Sequence, residues 1–488
     1  MGVLSDLQPA LVWKYFEQIC AIPHGSGNEQ AISNYIVDFA RTKGLKYVQD
    51  KVNNVIIWAP GTGDKQEHAP VILQGHMDMV AQKLPGCDIN METDGLRLKL
   101  GEDIVYAEGT TLGGDDGVAV AYMMAILDDV ASGNPSIIHP PLECVFTVDE
   151  ECGMTGASSL DMTLLKGRTM VNLDSEDEGY LLVSCAGGVG TLVTVPFERV
   201  ESDYVAGLKS AKVVISGLTG GHSGCEIHRG RANADVLMGR VLEELVDIDY
   251  KALLYSVNGG DKDNVIPSRS EAVIATENLK EFTETVSDLR VAFAQEFKDT
   301  DPGLKMEVIP CDVDVNPMDY ESRDKIIAAL NTIPNGVQKM SPDIEDLPET
   351  SLNLGVMVTD DTEVRLTYLV RSNVDASKDE LKARIEAIAG EIGAGFSFSG
   401  DYPGWAYRKD SALRDIMFQT FVDMYGREPV VQAIHAGVEC GMFAQAIDDF
   451  DAVSIGPDMM DIHTPGERLY VESTKRVWEY LLEVLARL

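Results

Sequence analysis

No stretch of this chain approaches the about 20 consecutive apolar residues that a membrane-spanning helix needs, so bilayer insertion is not expected. Positive charge is scarce too: 40 Lys and Arg face 79 Asp and Glu, a formal net charge of −39. So acidic a chain repels phosphate backbones and anionic lipid, and no local basic patch offsets it, so neither nucleic-acid nor membrane partners are expected. Paired cysteines are also missing. Cys20, Cys87, Cys144, Cys152, Cys185, Cys225, Cys311 and Cys440 lack the short spacings of a zinc finger or a disulfide framework, which predicts reduced thiols in a cytoplasm. The opening segment, MGVLSDLQPALVWKYFEQIC, has no basic n-region and no apolar signal core, and Asp6 stands where a myristoylation signal would want Ser or Thr. It reads as an amphipathic helix.

What is present is a globular composition, 45% hydrophobic and 24% charged, over 488 residues, more than one core usually serves. Strand-like and helical runs alternate through the first part. AISNYIVDFARTKG and GVAVAYMMAILDD have helical periodicity, whereas NNVIIWAP, PVILQGH, LECVFTVDEE and TMVNLDSE read as strands, three of them ending in polar clusters. This predicts an α/β domain with a mostly parallel central sheet, whose ligands would gather beyond the carboxyl ends of the strands. From about Gly190 the strands alternate more, as in GTLVTVPFERV and TEVRLTYLVRSNV, and helices such as KDELKARIEAIAGEIG intervene. That texture predicts an α+β insert with antiparallel sheet. The expected plan is a discontinuous catalytic domain over 1–189 and 400–488, interrupted by an inserted domain over 190–399.

The polar residues at the strand ends form a set. His76 and Asp78, two apart, would share one face of a strand, so the carboxylate could orient the ring. Alone, the pair reads equally well as a satisfied polar pair. Asp115 and Asp116 follow glycines and precede a helix; one could serve as an N-cap, but a cap requires only one acid. Asp149, Glu150 and Glu151 crowd the end of an apolar strand, where they suit either an exposed acidic turn or a cation. Asp174 ends another run, with Glu176, Asp177 and Glu178 beyond it reading as a solvated loop. His463 sits in a late loop. Together His76, Asp115, Glu151, Asp174 and His463 offer two imidazoles and three carboxylates, a donor set suited to zinc, manganese or cobalt; a bridging carboxylate would serve two ions.

The segments GHMDMV, TTLGGDDGVAVAYMMAILDD, FTVDEECGMTGASSLD, NLDSEDEGYLLVSCAGG, GLTGGHSGCEIHRGRANA, NVIPSRSEAV and AIHAGVECGMFAQ resemble, in order and along essentially the whole chain, those of the bacterial aminoacyl-histidine dipeptidases, also called cytosol non-specific dipeptidases. That group lies within the co-catalytic zinc peptidases and deacylases, with aminoacylase and carboxypeptidase G. The resemblance implies a dinuclear-zinc peptidase domain interrupted by a lid and dimerisation domain, acting as a cytoplasmic homodimer. It implies that Asp115 bridges two metals, that His76 and Asp174 complete one site and that Glu151 and His463 complete the other. Asp78 would orient His76, Glu150 would be the general base, and the Asp115–Asp116 peptide would be cis. In the insert, His222 and Asn264 would meet the scissile carbonyl, and Arg371 would take the substrate's carboxylate. His228 is expected to support the His222 loop, and His435 and Glu439 to lie behind the metal ligands or touch the substrate amine. The expected activity is hydrolysis of unblocked dipeptides, Xaa-His among them, with N-acyl-amino-acid hydrolysis on the same centre as the alternative. A non-catalytic metal or peptide binder is the remote one, disfavoured because every ligand and the base are retained.

Overall fold

The computed structural model describes residues 2–201 and 207–488. The chain forms two compact units, one of 1–185, 405–433 and 438–488, the other of 186–404 and 434–437. The expected mixed architecture is present, and the short return of 434–437 to the second unit is a detail that the sequence pattern does not announce.

The first unit is organised on an eight-stranded sheet in the order Lys46–Gln49, Val55–Ala59, Leu142–Thr147, Val71–His76, Thr169–Asn172, Asp451–Ser454, Tyr180–Cys185 and Val430–Ile434. The middle four strands run parallel. Every residue of Val71–His76 and of Leu142–Thr147 is buried, which explains their near-continuous apolar sequence. Because the four are parallel and in register, His76 lies opposite Thr147 and Gln74 opposite Asn172, so the residues that follow these strands emerge along one edge.

Helix Gly114–Val130 is buried from Gly114 to Leu127, apolar all round because it lies inside the unit. Its first acids depart from helical geometry, and the Asp115–Asp116 peptide is cis, as the resemblance implies. Gly75 makes the close approach to this helix possible: a Cβ there would lie 2.5 Å from Asp116 Oδ2 and 2.6 Å from the Ala119 methyl. Helix Ala10–Cys20 buries Val12, Trp13, Phe16 and Ile19 on the face that its periodicity predicts.

The second unit holds a sheet of nine strands, antiparallel in its observed pairings and centred on the long strands Pro348–Thr359, Glu363–Ser372 and Gly187–Pro196. Helices Ala234–Ile248, Leu279–Glu296, Tyr320–Thr332 and Asp375–Ile392 supply buried residues to its core. Among the described residues no helix is long and apolar enough to cross a membrane.

Candidate metal centre

The parallel strands deliver His76, the Asp149–Glu151 turn and Asp174 to one sheet edge, and the helix that begins at Gly114 brings Asp115 to the same place. Asp115 serves two rings. Its Oδ1 lies 3.0 Å from His76 Nε2 and its Oδ2 3.0 Å from His463 Nε2. Each ring nitrogen faces a second acid: His76 Nε2 is 3.4 Å from Asp174 Oδ1, and His463 Nε2 is 2.9 Å from Glu151 Oε1.

One N–H can point at only one acceptor, so protons alone serve these contacts poorly. Bonds of about 2.0 Å at tetrahedral angles put neighbouring ligand atoms about 3.3 Å apart, which the observed 2.9–3.4 Å contacts approximate. Glu151 Oε1 is buried and makes no hydrogen bond among the described residues, the state of a donor atom kept for a cation. His76, Asp115 and Glu151 bring one ligand atom each within 4.8 Å of one another, as do His76, Asp116 and Asp174. The two groups overlap at His76, and Asp115, 3.0 Å from both imidazoles, is the carboxylate that two cations could share.

Asp115 is better placed than Asp116 to be shared. Asp116 is fully buried and its Oδ2 accepts the backbone N–H of His76 at 3.2 Å, while Asp115 reaches both imidazoles. Neither acid caps the helix: the N-cap is Gly113, at φ 68°, and no side chain caps there.

Electrostatically the cluster is built for positive charge. The hydrogen bond to Asp115 and the adjacent Glu151 carboxylate raise His463 to about 10. Burial would depress His76, yet Asp174, Asp115 and Asp78 hold it well above its ordinary value. Burial with crowding by neighbouring acids lifts Asp174 to about 6 and pushes Glu150 well up, with Asp174 the largest charge on Glu150. Both Asp149 and His463 have left-handed backbone, with φ of 56° and 62°, a conformation that non-glycine residues hold only under constraint.

Asp78 contacts more than the His76 ring. Its backbone carbonyl lies 3.0 Å from His76 Nδ1, nearer than its carboxylate at 3.4 Å. The carboxylate accepts from Ser26 Oγ at 2.8 Å, from the Glu150 N–H at 3.1 Å and from the Glu151 N–H at 3.4 Å. Burial works to raise this acid, but His76 and these donors hold it below the usual range. It thus ties the Glu150–Glu151 turn to the strand end that carries His76.

A polar layer lies one side-chain step below the ligands, at the strand positions two before His76 and two before Asp174. Gln74 Nε2 donates to Glu439 Oε2 at 2.6 Å, Thr147 Oγ1 donates to the same oxygen at 2.6 Å, and Asn172 Nδ2 donates to Gln74 Oε1 at 2.6 Å. Burial pushes Glu439 up to about 8.

The second unit gathers the remaining candidates. His222 pairs with Val265 in a two-strand ladder, and the Ser223 N–H donates to the Asn264 carbonyl at 2.9 Å, which brings His222 and Asn264 together. His222 Nδ1 accepts the Gly224 and Cys225 N–H groups at 3.1 Å each, so the ring proton sits on Nε2. Burial and the charge of Arg371 lower His222. Arg371 is buried; it donates to the Tyr402 hydroxyl at 3.2 Å, and its Nε has no hydrogen-bond partner among the described residues. Its cross-strand neighbour Ser351 meets His435 Nε2 at 2.7 Å. Burial, then Arg371, depress His435 to about 3, which keeps it neutral.

His435 and Glu439 bond different partners, Ser351 and Gln74. Two sequence expectations need correction. His228 is exposed; Glu226 braces the loop instead, accepting the His222 N–H at 2.9 Å and Arg231 at 2.9 Å, because a turn's N–H groups need an acceptor. The acids after Asp174 are not all solvated: burial, then Asp115 and Asp174, push Glu176 to about 8, and Glu178 pairs with Arg476 at 2.7 Å.

Residues 72–487 match the family described as Peptidase family M20/M25/M40. The chain is 35% identical over 491 residues to the cytosol non-specific dipeptidase of Escherichia coli (strain K12), a match that covers 99% of both chains. The crystal structure of aminoacylhistidine dipeptidase from Vibrio alginolyticus superposes with a TM-score of 0.91 at 34% identity, covering all of this chain and 98% of that one. The aminopeptidase PepT from Bacillus cereus shares the fold at a TM-score of 0.57 and 15% identity, covering 98% of each chain.

Proposed function

Because the chain belongs to peptidase family M20/M25/M40 and is a peptide-bond hydrolase, we propose that it cleaves unblocked dipeptides, Xaa-His among them, in the cytoplasm. The observation that carries this reading is Asp115, one carboxylate facing two imidazoles, each of which also faces a second acid. His76, Asp174 and Asp115 would hold one divalent ion and Asp115, Glu151 and His463 the other, with zinc favoured by the mixed nitrogen and oxygen donors and manganese or cobalt as alternatives. Ions bound there supply Lewis acidity and bring the pKa of water close to neutrality.

The remaining chemistry belongs to the chain. Glu150 takes the proton of the attacking water on its carboxylate and returns it to the leaving amine; the acids around it favour the protonated form that this second transfer requires. Asp78 holds the Glu150 backbone in place. His222, with its proton on Nε2, and Asn264 are donors for the oxyanion, and Arg371 offers its forked guanidinium to the substrate's carboxylate. The insert serves as lid and dimerisation surface, a reading supported by the resemblance alone. Eight cysteines that form no disulfide among the described residues, and the relative named for the cytosol, support the cytoplasmic setting.

Dipeptides with a free amine and N-acyl amino acids, assayed side by side on zinc-loaded protein, test the substrate class. Turnover of the dipeptides at least about tenfold faster is expected; preference for the acylated compounds would make the protein a deacylase.

A further inference from the structure

Glu467 is a second acid in the His463 loop, four residues past the histidine. It is buried, 3% exposed, and has no place in the ligand set. Its Oε2 accepts the backbone N–H groups of Leu112 at 2.7 Å and Gly113 at 3.2 Å, and its Oε1 accepts that of Gly114 at 2.7 Å. Those three N–H groups lead directly into Asp115. Gly113 is the N-cap and Gly114 the first helical residue, and the N-cap glycine has no side chain to supply an acceptor. An aspartate at 115 or 116 could have filled that role, at the cost of turning away from the imidazoles. Glu467 supplies the acceptor from more than 350 residues along the chain and leaves Asp115 free to face His76 and His463.

The backbone of the same residue is tied into the loop of the other partner. The Glu467 N–H donates to the Thr464 carbonyl at 3.1 Å, which closes the turn that begins at His463. One side chain therefore joins the turn that carries Asp115 to the loop that carries His463. Those two segments meet at only one of the two candidate ion sites, since His76 and Asp174 come from the strands Val71–His76 and Thr169–Asn172.

We propose that Glu467 is the positioning residue that holds Asp115 against His463, and so sets the affinity of the ion site formed by Asp115, Glu151 and His463. The inference rests on the dinuclear peptidase reading above. Glu467→Gln replaces one acceptor oxygen by an NH2 group that confronts a backbone donor, so the turn and the loop separate slightly while the strand-borne ligands stay.

The test is a zinc titration of the metal-free, full-length protein, with zinc alone as the probe. Wild type is expected to take up two ions. Glu467→Gln should bind the ion of the Asp115, Glu151 and His463 site at least about tenfold more weakly, in line with the usual effect of losing a residue behind a metal ligand, and weaken the other ion, which shares only Asp115 with that site, clearly less. Glu143→Gln is the control, because Glu143 is equally buried and clamps the Lys166 and Gly167 N–H groups at 2.9–3.0 Å from the opposite end of the sheet. It should lower thermal stability and leave both affinities unchanged, which a purely structural role for Glu467 would also do. If Glu467→Gln does not fold, Glu467→Asp, which keeps the charge but is one methylene short, should show the same selective loss to a smaller degree. A wild-type isotherm in the Glu467 variant that folds, or equal weakening of both ions, overturns the inference. A wild-type protein that binds no zinc overturns the metal reading itself.

Discussion

Asp78 Oδ1 accepts the backbone N–H of Glu150 at 3.1 Å. The bond joins the strand that ends in His76 to the turn that carries the proposed base, while the His76 ring keeps the backbone carbonyl of residue 78 as its nearer Nδ1 partner. Asp78→Ala should therefore lower kcat by about 10- to 100-fold and leave two zinc ions bound, because the ring's carbonyl contact survives. Kinetics with metal analysis on the same sample checks this, and loss of one ion in parallel with activity would show that the carboxylate is needed to hold metal.

Glu150→Ala should reduce kcat by at least about 10²- to 10⁴-fold, the usual worth of a general base, with metal content unchanged. Near-normal turnover would remove Glu150 from the reaction. Glu150→Gln, similar in volume, should be equally impaired, which separates loss of the proton acceptor from loss of packing.

The expectations met in the structure are those that local pattern carries. Buried parallel strands appear as continuous apolar runs, and the acids that end them stand out because charge there needs a reason, so the sheet edge and most of its residues were legible. Which of Asp115 and Asp116 faces the imidazoles was not, since adjacent acids look alike until the backbone turns them apart; the resemblance supplied that choice. The partners of Glu439 and any place for Glu467 were not legible, because Glu439 meets Gln74 365 residues away and Glu467 meets Leu112 355 residues away. The loop reading of Glu176 and Glu178 failed for a similar reason: their burial is imposed by neighbours distant in sequence.

Arg371→Lys should raise KM for dipeptides by about 10- to 100-fold, the loss of one or two charge-assisted hydrogen bonds, with a smaller effect on kcat. The same variant should lose most of its preference for free-acid over C-terminally amidated dipeptides. An unchanged preference would place carboxylate recognition elsewhere.

Asp235, fully buried in the first turn of helix Ala234–Ile248, is pushed up by burial to about 7, with Ser270 working the other way. An acid that holds its proton more tightly when folded destabilises the native state as pH rises from its unfolded pKa of about 3.9 through its folded value, and the penalty then levels off at roughly 4 kcal/mol. Asp235→Asn should raise the thermal midpoint at pH 8, and the gain should shrink steadily as pH is lowered toward 4. A gain that is constant with pH would mean that Asp235 is not the titrating group.

The central claim is that two ions on this cluster make the chain a dipeptidase, and it is tested most directly by removing metal with a chelator and restoring zinc while following hydrolysis of an unblocked Xaa-His dipeptide. Activity should vanish on chelation and return in full as two equivalents of zinc are added. Full activity in the chelated protein, or no hydrolysis after zinc, manganese or cobalt has been restored in turn, would contradict it.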